Sequence, residues 1–344
     1  MSHRRRAIRR GPVIAAVVVA VAGLAVWEVL LAIRPPSAYP SPRPLAETPS
    51  ATTYWALTHA PRIAKQPTAG LMLGVYTPSL GEFDRAVGRQ AGLSVYYMNW
   101  GARFPAVTVV GQAALHAETV LEIEPGATGT PTARQIAQGR GDAWLRHFGA
   151  SIAGYGDPVV VSFEPEMNGP WHYRPWHENP RSYVAAFRHV HAVLARTAGG
   201  PLITWLWQPS AIHMHTPDPM PWWPGSKYVN VVGLDGYYYF PTDTFSKIFS
   251  RTIKLVRART KLPIIVGETA VGPQSDHQAW GIRNLFGGLR KSGLVGLIWY
   301  DQHQQGLPYH QDWRLEDSSS AMKAFQSELA AQPLAAFAAI GPRY

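Results

Sequence analysis

The stretch Val159-Val-Val-Ser-Phe-Glu-Pro-Glu166 decides the fold. Its apolar part lacks strict alternation with polar residues, which reads as a strand covered on both faces. It then stops on two glutamates around a proline. Seven further runs rich in Val, Ile, Leu, Tyr or Trp flank it, at 71–76, 94–100, 119–124, 202–208, 229–236, 263–269 and 294–300. Amphipathic, helix-like stretches lie between them at 81–90, 132–152, 180–197, 244–260 and 275–292, and 321–329 reads as a closing helix. The second and fifth connections are less clearly helical, and 217–224 reads as loop. Alternating strands and helices imply a parallel sheet, because parallel neighbours need crossovers. Eight repeats in about 260 residues fit a (β/α)8 barrel better than an open sheet. The alternative, a doubly wound nucleotide-binding sheet, lacks its signature, since neither a P-loop nor a Gly-x-Gly-x-x-Gly turn follows any run. The predicted fold class is α/β: a single (β/α)8 TIM barrel over residues 69–333, with a C-terminal tail at 334–344.

The chain has 344 residues, 46% of them hydrophobic and only 16% charged, so it can bury a sizeable core and wholesale disorder is excluded. The absence of cysteine removes disulfides, thiolate metal sites and thiol nucleophiles together. Thirteen Trp and fifteen Tyr lean toward a sugar-handling surface. The formal charge of +10 divides evenly: residues 1–34 hold six Arg against one Glu, and the rest holds 26 basic against 21 acidic residues. No dense basic run occurs after residue 10, so no nucleic-acid partner is expected.

Arg4, Arg5, Arg6, Arg9 and Arg10 precede an apolar stretch from 13 to 33 that only Glu28 interrupts. As a helix it spans about 31 Å, close to a hydrocarbon core, and the arginines hold its start in the cytoplasm. A cleaved signal peptide is the competing reading, with Ala20-Val-Ala22 as a small-x-small site. Both readings of the segment 1–34, membrane anchor or signal, export the barrel. Residues 35–68 read as a proline-rich linker that cannot bury a core.

Chemistry in such a barrel sits where strands meet their succeeding loops. Acidic residues end many of the runs: Glu122 and Glu124, Glu164 and Glu166 with Asn168, Asp235 before Tyr237, Glu268, and Asp301 after Trp299. Unpaired buried carboxylates are expensive, so this recurrence asks for a functional explanation. Glycosidic cleavage needs two carboxyl groups flanking one bond. Glu166 and Glu268, three strand–helix units apart, are placed to converge across the barrel mouth.

These residues resemble glycoside hydrolase family 26, retaining barrel enzymes best known as endo-β-1,4-mannanases. The resemblance rests on Phe163-Glu-Pro-Glu-Met-Asn-Gly-Pro-Trp171 with Tyr173 and Trp176. It continues in order through Ile203-Thr-Trp-Leu-Trp207, Val232-Gly-Leu-Asp-Gly-Tyr237, Val266-Gly-Glu268, Ile298-Trp-Tyr-Asp301 and Asp312-Trp-Arg314. It covers residues 70–330. It implies Glu166 as general acid/base, Glu268 as nucleophile and Tyr237 beside the nucleophile. Trp171 and Trp299, then Trp176 and Trp207, are the candidates for stacking on sugar faces, and Asn168 and Asp301 complete the expected substrate-binding set. The sequence departs from the mannanases at Pro165, where they carry His before the acid/base; this alters the hydrogen-bond setting of Glu166.

The expected reaction is a retaining double displacement in which Glu268 attacks as a carboxylate and Glu166 serves first as acid, then as base. It requires no cofactor and no metal. His213-Met-His215 has a metal-ligand look but falls in a loop without a second cluster. No Gly-x-Ser-x-Gly elbow supports serine hydrolysis. The expected partners are a polysaccharide substrate and, through the N-terminal segment, a membrane; the chain is expected to be a monomer. A catalytically inactive, tethered polysaccharide-binding barrel is the second class, and a metal-dependent hydrolase the third.

Overall fold

The computed structural model describes residues 70–124, 129–169, 179–273, 277–304 and 311–334. The expected N-terminal segment and linker, Trp171, Trp176 and the tail beyond 334 lie outside these residues. Apart from Gln304, the described residues fall in one compact unit, 45–303 with 311–344; the other unit is 1–44 with 304–310. No described helix is long and apolar enough to cross a membrane.

Eight parallel strands close in sequence order into a barrel. They are β1 (Met72–Tyr76), β2 (Leu93–Asn99), β3 (Glu118–Glu124), β4 (Val159–Phe163), β5 (Ile203–Trp207), β6 (Val231–Asp235), β7 (Ile264–Thr269) and β8 (Gly296–Tyr300). The outer helices are α1 (Leu80–Val87), α2 (Ala106–Ala114), α3 (Ala133–Ala137), α4 (Asp142–Tyr155), α5 (Pro180–Leu194), α6 (Arg251–Arg257), α7 (Gln278–Lys291) and α8 (Ser319–Ala330). The (β/α)8 expectation is met, with one expected helix divided. The helix expected at 132–152 is broken into α3 and α4, because Gly139 and Gly141 adopt φ values of 93° and 109° that end one helix and start another. The connection after β5 holds only single 3₁₀ turns, Met220–Trp222 and Ser226–Tyr228, as its prolines dictate.

Period-2 alternation sorts the strand residues between the inside of the barrel and its helical coat. Met72, Leu93, Val95, Val120, Val160, Leu206, Val231, Ile265 and Ile298 share one apolar core. Two residues further along the same faces come Tyr97, Glu122 and Gln208, and four beyond Val231 comes Asp235, so apolar packing gives way to a polar layer toward the strand C-termini. Tyr97 stands beside Glu122, and Glu122 beside Ser162, in the ladder. The opposite faces carry Trp205 and Trp299, which pack on Phe187 of α5 (5.8 Å between ring centres) and Phe325 of α8 (5.1 Å).

Two irregularities set the upper rim. First, β4 stops at Phe163, short of the expected 166, because Glu164 and Glu166 take left-handed φ values of 51° and 54°. Their N–H groups still donate to the neighbouring strands' side, to Ile123 O (2.8 Å) and Gln208 O (2.7 Å). Each such residue costs about 1–2 kcal/mol, which the two flanking strands hold in place. Second, β7 slips its register: Leu234 pairs with Val266, but Asp235 pairs with Glu268. The extra residue, Gly267, is a bulge. Ile265 faces the core, so strict alternation would aim Glu268 outward; the bulge turns it over the mouth.

The bulge has room for glycine alone. A Cβ at 267 would stand 2.5 Å from Asp235 Oδ1 and 3.0 Å from Gly233 Cα. Gly267→Ala is therefore expected to destabilise the barrel by about 1–3 kcal/mol and to displace Glu268. Thermal unfolding at wild-type temperature with unchanged activity would contradict this.

Candidate active site

Glu268 is 6% exposed, and both its oxygens accept phenolic hydroxyls: Oε1 from Tyr237 after β6, Oε2 from Tyr97 on β2. Tyr97 lies across the barrel from β7, so the carboxylate is gripped from two sides. Burial, then the nearby charge of Glu166, push its pKa up to about 7, and the hydrogen bonds from Tyr237 and Tyr97 oppose that rise. Glu166 and Glu268 thus lie within one another's field.

Below them, Gln208 Nε2 donates to Glu122 Oε1 at 2.9 Å. Burial, then the charge of Glu268, raise the pKa of Glu122 well above the ordinary carboxylate value, and the same two causes act on Asp235. Carboxyls this close share protons as a set.

Glu166 is half-buried on the turn after β4, with Oε1 accepting the Ser210 hydroxyl at 3.0 Å. Asn168 fixes that serine in turn. Its Oδ1 accepts Ser210 N–H (2.9 Å), and its Nδ2 donates to Ser210 O (2.9 Å) and Pro217 O (3.0 Å). Asn168 is fully buried with its amide spent on backbone, so the expectation of substrate contact is corrected: it positions Ser210 and, through it, Glu166.

Three more expectations are corrected by register and burial. Trp299, fully buried, lies on the outer face of β8 against Phe325 and offers no surface to a sugar. Trp207, also fully buried, faces outward from β5 and meets Trp223 edge-on at 4.8 Å. Asp301 accepts Leu315 N–H (3.1 Å) and the Thr77 hydroxyl (3.5 Å), stapling the chain after β8 to the loop after β1. Burial raises its pKa to about 7, in a structural role. Tyr237 donates its hydroxyl to Glu268, the residue the motifs place it beside. Trp171 and Trp176 fall outside the described residues.

Motif and composition alone pass over Tyr97, Gln208 and Ser210. The first two can be found by parity, being two residues beyond the core positions Val95 and Leu206. Ser210 carries no signal of its own. Among the described residues no group of three or more His, Asp or Glu is arranged to hold a metal ion. His213 instead faces Asp243, 3.4 Å away.

Residues 151–274 match the sequence model of glycosyl hydrolase family 26. The resemblance read from the motifs is shown. The matched stretch runs from within α4 to just beyond β7 and holds both Glu166 and Glu268. The chain is 24% identical over 288 residues to endoglucanase H of Acetivibrio thermocellus, covering 76% of this chain and 31% of that protein. It is 25% identical over 196 residues to a beta-1,3-xylanase of Alcaligenes sp, covering 56% and 39% respectively. The chain thus spans about a third of the length of the curated relatives it matches. In fold it is similar to the catalytic domain of a family 26 endo-beta-1,4-mannanase from Bacillus sp. JAMB-750, with TM-score 0.58 at 16% identity over 76% of this chain and 86% of that one. A fungal beta-1,4-galactanase structure gives TM-score 0.56 at 12% identity, over 75% of this chain and 100% of that one.

A buried carboxyl whose pKa is raised on folding binds its proton more tightly folded than unfolded. Its stabilising contribution is complete below the ordinary value near 4.5 and is lost as pH climbs through about 7. The melting temperature is therefore expected to fall between pH 5 and 8, and Glu268→Gln to flatten that fall. Parallel melting profiles for wild type and variant would refute the assignment.

Proposed function

We propose that this chain is a glycoside hydrolase that cleaves a β-linked, mannan-like or cell-surface polysaccharide with retention at the anomeric carbon. The observation that carries the reading is Glu268, turned inward by a bulge, gripped by two tyrosines and electrostatically coupled to Glu166. Glu268 attacks the anomeric carbon as a carboxylate while Glu166 protonates the departing oxygen. Glu166 then takes the proton of the water that cleaves the glycosyl–enzyme ester. The family match, the endoglucanase and xylanase relatives and the barrel neighbours support a β-polysaccharide as substrate class. The two carboxyl groups should stand about 5–5.5 Å apart in a crystal structure, since an inverting pair leaves about 6.5–9.5 Å.

The arginines at 4–10 and the apolar stretch 13–33 support a membrane anchor or export signal that carries the barrel out of the cytoplasm. Cell fractionation of the full chain, with and without residues 1–34, tests this; equal cytoplasmic recovery of both forms would count against it.

Pro165, standing where the mannanases have His, favours one second reading: a barrel that binds polysaccharide without cutting it. Incubation with β-mannan, mixed-linkage β-glucan and β-1,3-xylan separates the two. Release of reducing ends, with Glu268→Ala losing nearly all of it while keeping the fold by circular dichroism, is the expected result. Tight binding by wild type with no reducing ends from any polymer would establish the binder instead.

The nucleophile must be ionised, so kcat/KM should rise with pH through about 7 on its acidic limb. The tyrosine hydroxyls favour the ionised form. Removing either by Tyr237→Phe or Tyr97→Phe should move that limb to higher pH and cut the rate by about 10- to 1000-fold. An unmoved limb in both variants would show that Glu268 does not govern it.

A further inference from the structure

Beyond the two carboxylates, an aromatic row leads from the nucleophile to the surface. Tyr237, whose hydroxyl touches Glu268, lies 5.7 Å from Tyr239, ring centre to ring centre, and Tyr239 lies 6.3 Å from Phe240. Buried Trp313 backs the first two rings at 5.0 and 5.4 Å. Phe240 ends the row with 48% of its surface exposed.

An exposed phenylalanine on a loose loop would fold back onto apolar neighbours. This one is held out. The buried carboxylate of Asp243 accepts the N–H groups of Tyr239 (2.8 Å) and Phe240 (2.9 Å) through one oxygen, and the Asp243 N–H closes the turn onto Phe240 O (3.0 Å). His213 lies 3.4 Å from the other oxygen. Just downstream, Phe245 N–H donates to Asn284 of α7 at 2.7 Å. The turn is thereby fixed before any ligand arrives, which lowers the ordering cost of binding.

We propose that Phe240, presented by the Asp243 turn, is a sugar-binding platform for a polysaccharide chain leaving the cleavage point along the Tyr237–Tyr239 wall. The proposal rests on the polysaccharide reading above and extends that site outward by one subsite. Sugar rings offer faces of C–H groups that carry partial positive charge, and these pack on the electron-rich face of an aromatic ring. A ring without a hydroxyl suits a position where the sugar's own hydroxyls stay in water. A peptide or lipid occupant has no comparable reason to track a wall that starts at the nucleophile.

A subsite this far out is filled only by longer substrates. The test compares wild type, Phe240→Ala and Phe240→Trp on a ladder of two- to six-unit oligosaccharides from whichever of β-mannan, mixed-linkage β-glucan and β-1,3-xylan is cleaved. For Phe240→Ala, the ratio of kcat/KM on the longest member to that on the shortest cleaved member should fall about five-fold, the loss appearing in KM. Phe240→Trp should restore the ratio. A ratio equal to wild type, or one lowered equally in both variants, overturns the platform. If wild type cleaves none of the polymers, the hydrolase reading has failed, and the platform is read from retardation in native gels cast with each polymer. Retardation of wild type that Phe240→Ala weakens supports it. Retardation equal in both, or absent from every gel, overturns it.

Discussion

A carboxylate taken out of water must be given something in return, and at Glu268 that something is a pair of tyrosine hydroxyls. The rest of the barrel mouth is shaped by this requirement. One tyrosine comes from β2 and the other from the turn after β6, so the barrel must close before the grip exists. The bulge at Gly267 is needed because a regular β7 would present Glu268 to the helices. Gly267 must be glycine because Asp235 and Gly233 already occupy the space a side chain would take. A single buried charge thus dictates a strand irregularity, a residue type and the closure of the sheet.

The two carboxylates are supported in different ways, and the difference matches the tasks proposed for them. Glu268 has both oxygens held, which suits a group that must meet one carbon from one direction. Glu166 sits on a strained turn, half-buried, with the Ser210 hydroxyl on one oxygen. An acid that must later act as a base needs contact with the outside, because water enters and a leaving group departs past it. Asn168 supplies the rigidity that Glu166 does not have from a strand, by locking Ser210 through two backbone bonds and anchoring itself to Pro217 O by a third. Pro165 lies between two left-handed residues and donates no hydrogen bond there. The turn's pairing therefore falls to the N–H groups of Glu164 and Glu166.

The barrel, its strand count and the approach of Glu166 to Glu268 were legible in the sequence, because strand composition and strand-end acidity are local signals. What failed was orientation. Trp207 and Trp299 stand near strand ends, as sugar-binding residues do, but they occupy outward positions in registers whose inward partners are Leu206 and Ile298. Counting in twos from the apolar core sets them aside and picks out Tyr97 and Gln208. The same counting fails at Glu268, where the bulge inverts the parity; there the motif resemblance is the better guide. Asn168 and Asp301 mislead for another reason. A buried polar side chain beside an active site bonds backbone as readily as substrate, and only the fold shows which.

The proton distribution of the cluster ties these parts to the proposed chemistry. Burial, then the charge of Glu268, raise the pKa values of Glu122 and Asp235, so both favour their protonated forms beside an ionised Glu268. Glu166 and Glu268 oppose one another, so ionising one makes ionising the other harder. In a double displacement this opposition changes with the reaction. Before attack, the charge on Glu268 favours a proton on Glu166, as an acid requires. Once Glu268 is esterified its charge is gone, the repulsion on Glu166 ends, and its affinity for a proton falls just after the proton has left with the sugar. It rises again only when water has given one up and the carboxylate is freed. In the proposed reaction, the coupling that raises the pKa of Glu268 is therefore the same coupling that lets one glutamate serve first as acid and then as base.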